Sequence, residues 1–305
     1  MEISSIPVGE VYVERPVQGK PHSGKVLAAV QAHADDIPFF CAGTIAKLIE
    51  EGYTAYLIQT TNDEKCGPTT SIGDTILRNE RDVAELAKVL GFKATFNLGY
   101  RNHEMDGISL RELRLRLIFL FRLLKVDTVF TFNPWGCWEE NPDHWVTARA
   151  VEAACWMAGM DKDYPEHFAA GLEPHTVSEK YYFVARDSQP YNRVVDISSV
   201  IEKKIAALSV NKTQGPAGSQ GRRLKARLAA QGLRLPGLDG SDEEADLAYI
   251  RMFILKPYAE LGRLYGLKYA EPFYYIGPSR EEAEIEEYIR KHAVPLNANS
   301  RQMQP

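Results

Sequence analysis

Val26-Leu27-Ala28-Ala29-Val30 runs into Gln31-Ala32 and then His33-Ala34-Asp35-Asp36, and this stretch decides the fold. A short apolar run without alternation reads as a strand buried on both faces. Where it ends, an imidazole and two carboxylates emerge, which is the composition of a metal site. A paired strand is rigid, so side chains at its carboxyl end can be held facing one point. In open α/β sheets that end is where ligands bind.

A second segment repeats the pattern. Thr128-Val129-Phe130-Thr131-Phe132 reads as another buried strand and leads through Asn133-Pro134-Trp135-Gly136 to Asn141-Pro142-Asp143-His144. Asp143 stands where it can cap the helix that the apolar period from Val146 to Met157 predicts. The two polar clusters lie far apart in the chain and meet only if their strands are neighbours.

The intervening pattern supports that meeting. Spacing predicts strands over 25–31, 54–61, 94–98 and 127–132, helices over 38–51, 74–90, 109–124 and 144–158, and further strands over 180–185 and 193–196. Such alternation predicts an α/β fold: a Rossmann-like, mostly parallel sheet flanked by helices. In the common doubly wound order 3-2-1-4, the first and fourth strands are adjacent at the switch point. His33, Asp35, Asp36, Asp143 and His144 then converge on one cleft. Past residue 197 the periodicity is helical, over 198–211, 222–231 and 242–265. The expectation is one domain over 1–305, with a core at 24–196, a helix-rich C-terminal extension capping it at 197–292, and a tail at 293–305.

Composition bounds the function. With 305 residues, 45% hydrophobic and 25% charged, the usage is that of a globular chain with a sizeable core. A net charge of -5 gives no reason to expect nucleic acid or an anionic membrane as partner. Cys41, Cys66, Cys137 and Cys155 form no C-x-x-C pair and no disulfide framework. No apolar run is long enough to span a bilayer and no signal peptide is recognisable, so the expected location is the cytoplasm. A nucleotide-binding reading is disfavoured, because His33 and the aspartates occupy the place of a G-x-G-x-x-G turn and would repel a pyrophosphate.

Several motifs in order resemble the LmbE-like, or PIG-L, family of zinc-dependent N-acetylglucosaminyl deacetylases. They are Ala32-His33-Ala34-Asp35-Asp36, Lys88-Val89-Leu90-Gly91, Leu98-Gly99-Tyr100, Asn141-Pro142-Asp143-His144, Lys204-Ile205-Ala206-Ala207-Leu208 with Gln214, and Tyr269-Ala270-Glu271-Pro272-Phe273. The resemblance covers roughly 24–277. It implies His33, Asp36 and His144 as ligands of Zn²⁺ or another divalent cation, and Asp35 as the base that activates a zinc-bound water. Asp143 and Asn141 stand at the assisting positions. Two imidazoles and a carboxylate leave a coordination position open, as catalytic zinc requires.

The implied reaction is hydrolysis of an amide, removing acetyl from an N-acetylated amino sugar or its conjugate. The implied assembly is a homo-oligomer. Arg78 lies on the helix where the family often carries a substrate-binding arginine, and His103 lies in a loop at the third strand end that lines the family pocket. Trp135 is an aromatic residue near the second cluster that can stack on a sugar ring.

Three positions depart from the family pattern: Ala34 stands for a proline, Ile37 for a glutamate, and Asn141 for a histidine. An asparagine amide donates a hydrogen bond but transfers no proton at neutral pH. This motivates a replacement acid, for which His175 is a candidate, or the alternative of a non-catalytic or weakly active metal- or ligand-binding homologue.

Overall fold

The computed structural model describes residues 10–186, 188–278 and 280–295. Eight strands form one sheet: β1 (Tyr12–Glu14), β2 (Val26–Gln31), β3 (Thr54–Thr61), β4 (Ala94–Tyr100), β5 (Thr128–Phe132), β6 (Glu179–Phe183), β7 (Arg193–Asp196) and β8 (Ala270–Ile276). Their order across the sheet is β1-β7-β8-β6-β5-β2-β3-β4. All neighbours run parallel except β8, which is antiparallel to both β6 and β7. The run β4-β3-β2-β5 is the expected doubly wound order, so β2 and β5 are neighbours at the point where the chain reverses direction.

Side-chain alternation along the central strands divides the interior into two layers. Leu27 and Ala29 of β2, with Leu57 and Phe130, pack on the face covered by α2 (Ala42–Glu50) and α3 (Ile72–Leu90), where Ile45, Leu48, Val83 and Leu86 meet them. Ala28 and Val30, with Ile58 and Val129, pack on the other face against Leu117, Phe121, Val151 and Ala154. Those residues belong to α4 (Leu110–Leu124) and α5 (Pro142–Ala158). Burial of both faces is why the strands read as unbroken apolar runs. Helix ends follow local chemistry. The Ser71 and Ser109 hydroxyls accept the Asp74 and Glu112 backbone N–H groups, and Gly91 closes α3 at a left-handed φ of 87°.

The structure departs from the sequence pattern in four places. The helix expected over 38–51 is two, α1 (Asp36–Phe40) and α2, broken at Cys41. The break is held by a buried ion pair. Glu271 accepts the backbone N–H groups of Gly43 and Thr44, while the Lys204 ammonium donates to the carbonyls of Pro38 and Phe39. β1 lies ahead of the first predicted strand, where no element is expected, and β8 falls within the extension expected to be helix-rich, where Pro272 disguises the strand. The helix expected over 242–265 is interrupted: α9 (Asp242–Tyr249), a π turn at Ile250–Ile254, and α10 (Lys256–Leu264). Among the described residues no helix is long and apolar enough to cross a membrane, and residues 296–305 of the expected tail lie outside them.

Candidate metal centre

Both polar clusters sit at the carboxyl ends of adjacent strands, β2 and β5, and they meet. His33 Nδ1 and His144 Nε2 are 2.9 Å apart. Asp36 Oδ1 lies 3.6 Å from His144 Nε2, and Asp36 Oδ2 lies 3.9 Å from His33 Nδ1. Donor atoms of a tetrahedral ion bound at about 2.0–2.1 Å are roughly 3.3 Å apart, so these three separations bracket that spacing.

The outward atom of each of these groups is already engaged. Asp36 Oδ2 accepts the backbone N–H groups of Ala32 and His33 at 2.9 and 2.8 Å. His33 Nε2 is 3.0 Å from Asp143 Oδ2, and His144 Nδ1 is 3.1 Å from Glu139 Oε1. A ring nitrogen facing a carboxylate is the protonated donor, so each imidazole, when neutral, turns a lone pair inward. Two such lone pairs and a carboxylate oxygen turned toward one point call for positive charge between them, a proton or a metal cation. The donor set therefore fits a divalent cation, and two imidazoles with one carboxylate suit zinc.

Asp143 lies under this set, fully buried. Besides His33 it accepts from Asn102 Nδ2, His103 N and Met105 N. Burial works against its charge, but the hydrogen bonds from His33 and the two backbone N–H groups, with the charge of His33, hold its carboxyl below the ordinary range. Burial likewise disfavours the His33 imidazolium. The hydrogen bond to Asp143 and the charges of Asp36, Asp63 and Asp35 outweigh it and lift the pKa to about 9.

Asp35 precedes α1, yet its side chain makes no capping bond. Burial, and then the charge of Asp36, push its carboxyl up to about 6. Its other flank is the loop at Gly215. That residue has φ +80°, and a Cβ there would lie 2.7 Å from the Asp35 Cβ, so only glycine fits. The loop is tied down where Gln214 Nε2 donates to Asn79 Oδ1 at 3.0 Å.

Asn141, not Asp143, caps α5: its Oδ1 accepts the Asp143 N–H at 3.0 Å, and Pro142 occupies the first helical position. His103 adjoins the centre, its ring centroid 6.3 Å from that of His33. Its backbone is held at φ 60°, and it borders a cleft of about 510 Å³ with Tyr100, Arg101, Glu104 and Asp106. Trp135 is 57% exposed and packs edge-on against Tyr182. Arg78 is exposed and pairs with Asp74 one turn earlier on α3. His175 pairs with Asp127, whose other oxygen accepts the N–H of Val26. Both residues are at the amino ends of β5 and β2, opposite the metal centre, so His175 is no replacement acid.

Two carboxylates at the site escaped the sequence reading. Asp63 follows β3 and accepts the Ala34 N–H at 2.9 Å and Gln59 Nε2 at 2.8 Å. Burial pushes its carboxyl up to about 7 against the pull of His33. The strand-end rule that singled out His33 applies equally to Asn62-Asp63-Glu64. Glu139 precedes His144 at a spacing that no motif flagged.

The fold is α/β, with residues that could hold a metal ion gathered at the switch point, and comparison shows which known proteins it resembles. Residues 28–155 match the family profile described as "PIG-L: GlcNAc-PI de-N-acetylase", and the resemblance drawn from the motifs stands. The diacetylchitobiose deacetylase of Thermococcus kodakarensis is 28% identical over 196 residues, 63% of this chain and 71% of that protein. The N,N'-diacetylchitobiose deacetylase of Pyrococcus horikoshii, solved with an inhibitor, superposes with a TM-score of 0.66 at 21% identity, covering 90% of this chain and 88% of that one. The 4-carboxy-2-hydroxymuconate hydratase of Pseudomonas putida superposes with a TM-score of 0.59 at 16% identity, covering 84% and 97%. The fold thus hosts more than one chemistry, and function must be argued from the site.

Proposed function

We propose that the protein is a metal-dependent amide hydrolase that removes acetyl from an N-acetylated amino sugar or its conjugate. The observation that carries this reading is the convergence of His33 Nδ1, His144 Nε2 and Asp36 beside Asp35, whose side chain makes no capping bond. The T. kodakarensis relative, a diacetylchitobiose deacetylase by name, supports the substrate class. His33, Asp36 and His144 hold the cation, with zinc as the expected ion; when bound, it polarises the amide carbonyl and acidifies water.

Asp35 takes the proton from water as the amide carbon is attacked. Its carboxyl, raised to about 6, is ionised at neutral pH yet basic enough to serve. Asp143 holds His33 in the tautomer that keeps Nδ1 unprotonated. As the C–N bond breaks, Asp35 passes that proton to the departing nitrogen, and the products are acetate and a free amine. His103 and the cleft beside it receive the sugar, and Asn141 Nδ2 is available to donate a hydrogen bond toward the carbonyl oxygen.

One observation favours a second reading, a binding protein with little or no turnover: Asn141, at the position of the family histidine, spends its carbonyl on capping α5. Incubation of the zinc-loaded protein with N,N'-diacetylchitobiose separates the two. Release of acetate and amine in equal amounts supports hydrolysis, whereas saturable binding without product establishes the second reading.

A further inference from the structure

We propose that Glu139 is a positioning residue of the metal centre, fixing the tautomer and aim of His144. The inference rests on the metal reading above, and four observations carry it. The Glu139 side chain is only 3% exposed although its neighbours Trp138 and Glu140 are open to solvent. Its Oε1 meets His144 Nδ1 at 3.1 Å, on the far side of the ring from the inner nitrogen. The same oxygen accepts the Asn141 N–H at 3.2 Å, which ties it to the cap of α5. Its Oε2 is buried without a hydrogen-bond partner among the described residues.

The third and fourth observations belong together. A buried carboxylate with a bare oxygen is costly unless positive charge stands nearby. Arg186 Nη2, at 3.6 Å from Oε1, provides part of it. The rest is expected from the His144 side, since an imidazole that binds a cation through Nε2 becomes a stronger donor at Nδ1.

The loop is built to deliver this one group. Trp138 sits at φ 64°, a left-handed conformation strained for a bulky residue, and the turn sends its own indole outward, 77% exposed, while Glu139 points in. Gln189 Nε2 donates to the Cys137 carbonyl at 2.9 Å and anchors the loop from behind. Phe132 stacks on His144 at 3.9 Å with an interplanar angle of 12°. That stacking sets the plane of the ring but leaves open which nitrogen bears the proton. Glu139 settles this, as Asp143 does for His33, so each imidazole has its own carboxylate.

The test uses the full chain and zinc alone. Zinc affinity is measured by competition with a chromophoric chelator for wild type, Glu139→Ala, Glu139→Gln and the exposed control Glu140→Ala. Glu139→Ala is expected to lose about 10–100-fold in affinity. Glu139→Gln, whose carbonyl still accepts from Nδ1–H, falls between it and wild type, and Glu140→Ala matches wild type. Long-range ¹H–¹⁵N spectra of the zinc-loaded protein are expected to show His144 protonated at Nδ1 in wild type and a tautomer mixture in Glu139→Ala, a change that a merely structural role would not produce. Unchanged affinity and tautomer in Glu139→Ala overturn the assignment of Glu139 while leaving the metal reading intact. No zinc binding by the wild type overturns both.

Discussion

Two buried charge clusters lie a short helix apart and differ in one respect. In the first, Lys204 and Glu271 are both 0% exposed and their polar atoms are spoken for. The ammonium donates to Pro38 O, Phe39 O and Glu271, and the carboxylate accepts from Gly43, Thr44 and Lys204. In the second, four aspartates, Asp35, Asp36, Asp63 and Asp143, surround two imidazoles whose inner nitrogens face one another at 2.9 Å. The first cluster is complete with protein atoms alone. The second has an excess of acceptors, which retained protons or a bound cation must offset. A buried polar cluster that satisfies itself holds a fold together, and one that does not is built for a ligand.

The contrast breaks most sharply at Asp36. Asp36→Ala is expected to abolish zinc binding and with it hydrolysis, as read by metal content after dialysis, with the fold retained. Asp35→Asn is expected to keep the metal and lose about 10²–10⁴-fold in turnover, because the proton acceptor is gone while the ligands remain. Unchanged turnover in that variant would remove Asp35 as the base. At the other cluster the effect is on stability. Glu271→Ala leaves a buried ammonium without its counter-charge and two backbone N–H groups without an acceptor, and is expected to cost about 3–5 kcal/mol in urea unfolding. The double variant Lys204→Met with Glu271→Gln removes the charge but keeps one acceptor, and is expected to recover part of that loss.

A smaller effect is expected from pH. In the metal-free protein the raised carboxyls of Asp35, about 6, and Asp63, about 7, keep protons that the unfolded chain gives up near 3.8. His33, raised to about 9, keeps a proton that the unfolded chain gives up near 6.5. In each case the folded state binds more protons, so the contribution of the site to stability is full below the unfolded pKa and is lost as pH rises through the folded one. From about pH 4 to 9 the metal-free site therefore loses stability steadily, and bound metal, which replaces those protons, is expected to flatten the trend. Urea midpoints with zinc and with a chelator across that range check it; parallel curves would contradict it.

Most of the frame was legible in the sequence because burial on both faces writes an unmistakable apolar run. β2, β3 and β5 announce themselves, and the polar residues after β2 and β5 stand out against them. The order β4-β3-β2-β5 followed from the alternation of elements. β8 was illegible because Pro272 and the aromatic residues around it carry no strand period, and its antiparallel place between β6 and β7 depends on partners far away in the chain. The break at Cys41 was hidden for the same reason, since its cause is Glu271 and Lys204. At the site, the convergence of His33, Asp36 and His144 at strand ends was readable, while the approach of Glu139 was not: only the left-handed turn at Trp138 directs it inward, and nothing in the composition of a loop foretells that turn.

The long reach of Glu271 also bears on how the molecule is made. The start of α2, just past the first central strand, finds the acceptor for two of its backbone N–H groups only in a carboxylate more than two hundred positions downstream. During synthesis that acceptor emerges long after the segment bearing His33 and Asp36. Such distant pairings make for slow maturation. A nascent polypeptide stalled before β8 is expected to carry every metal ligand and yet lack the clamp that orients the first two.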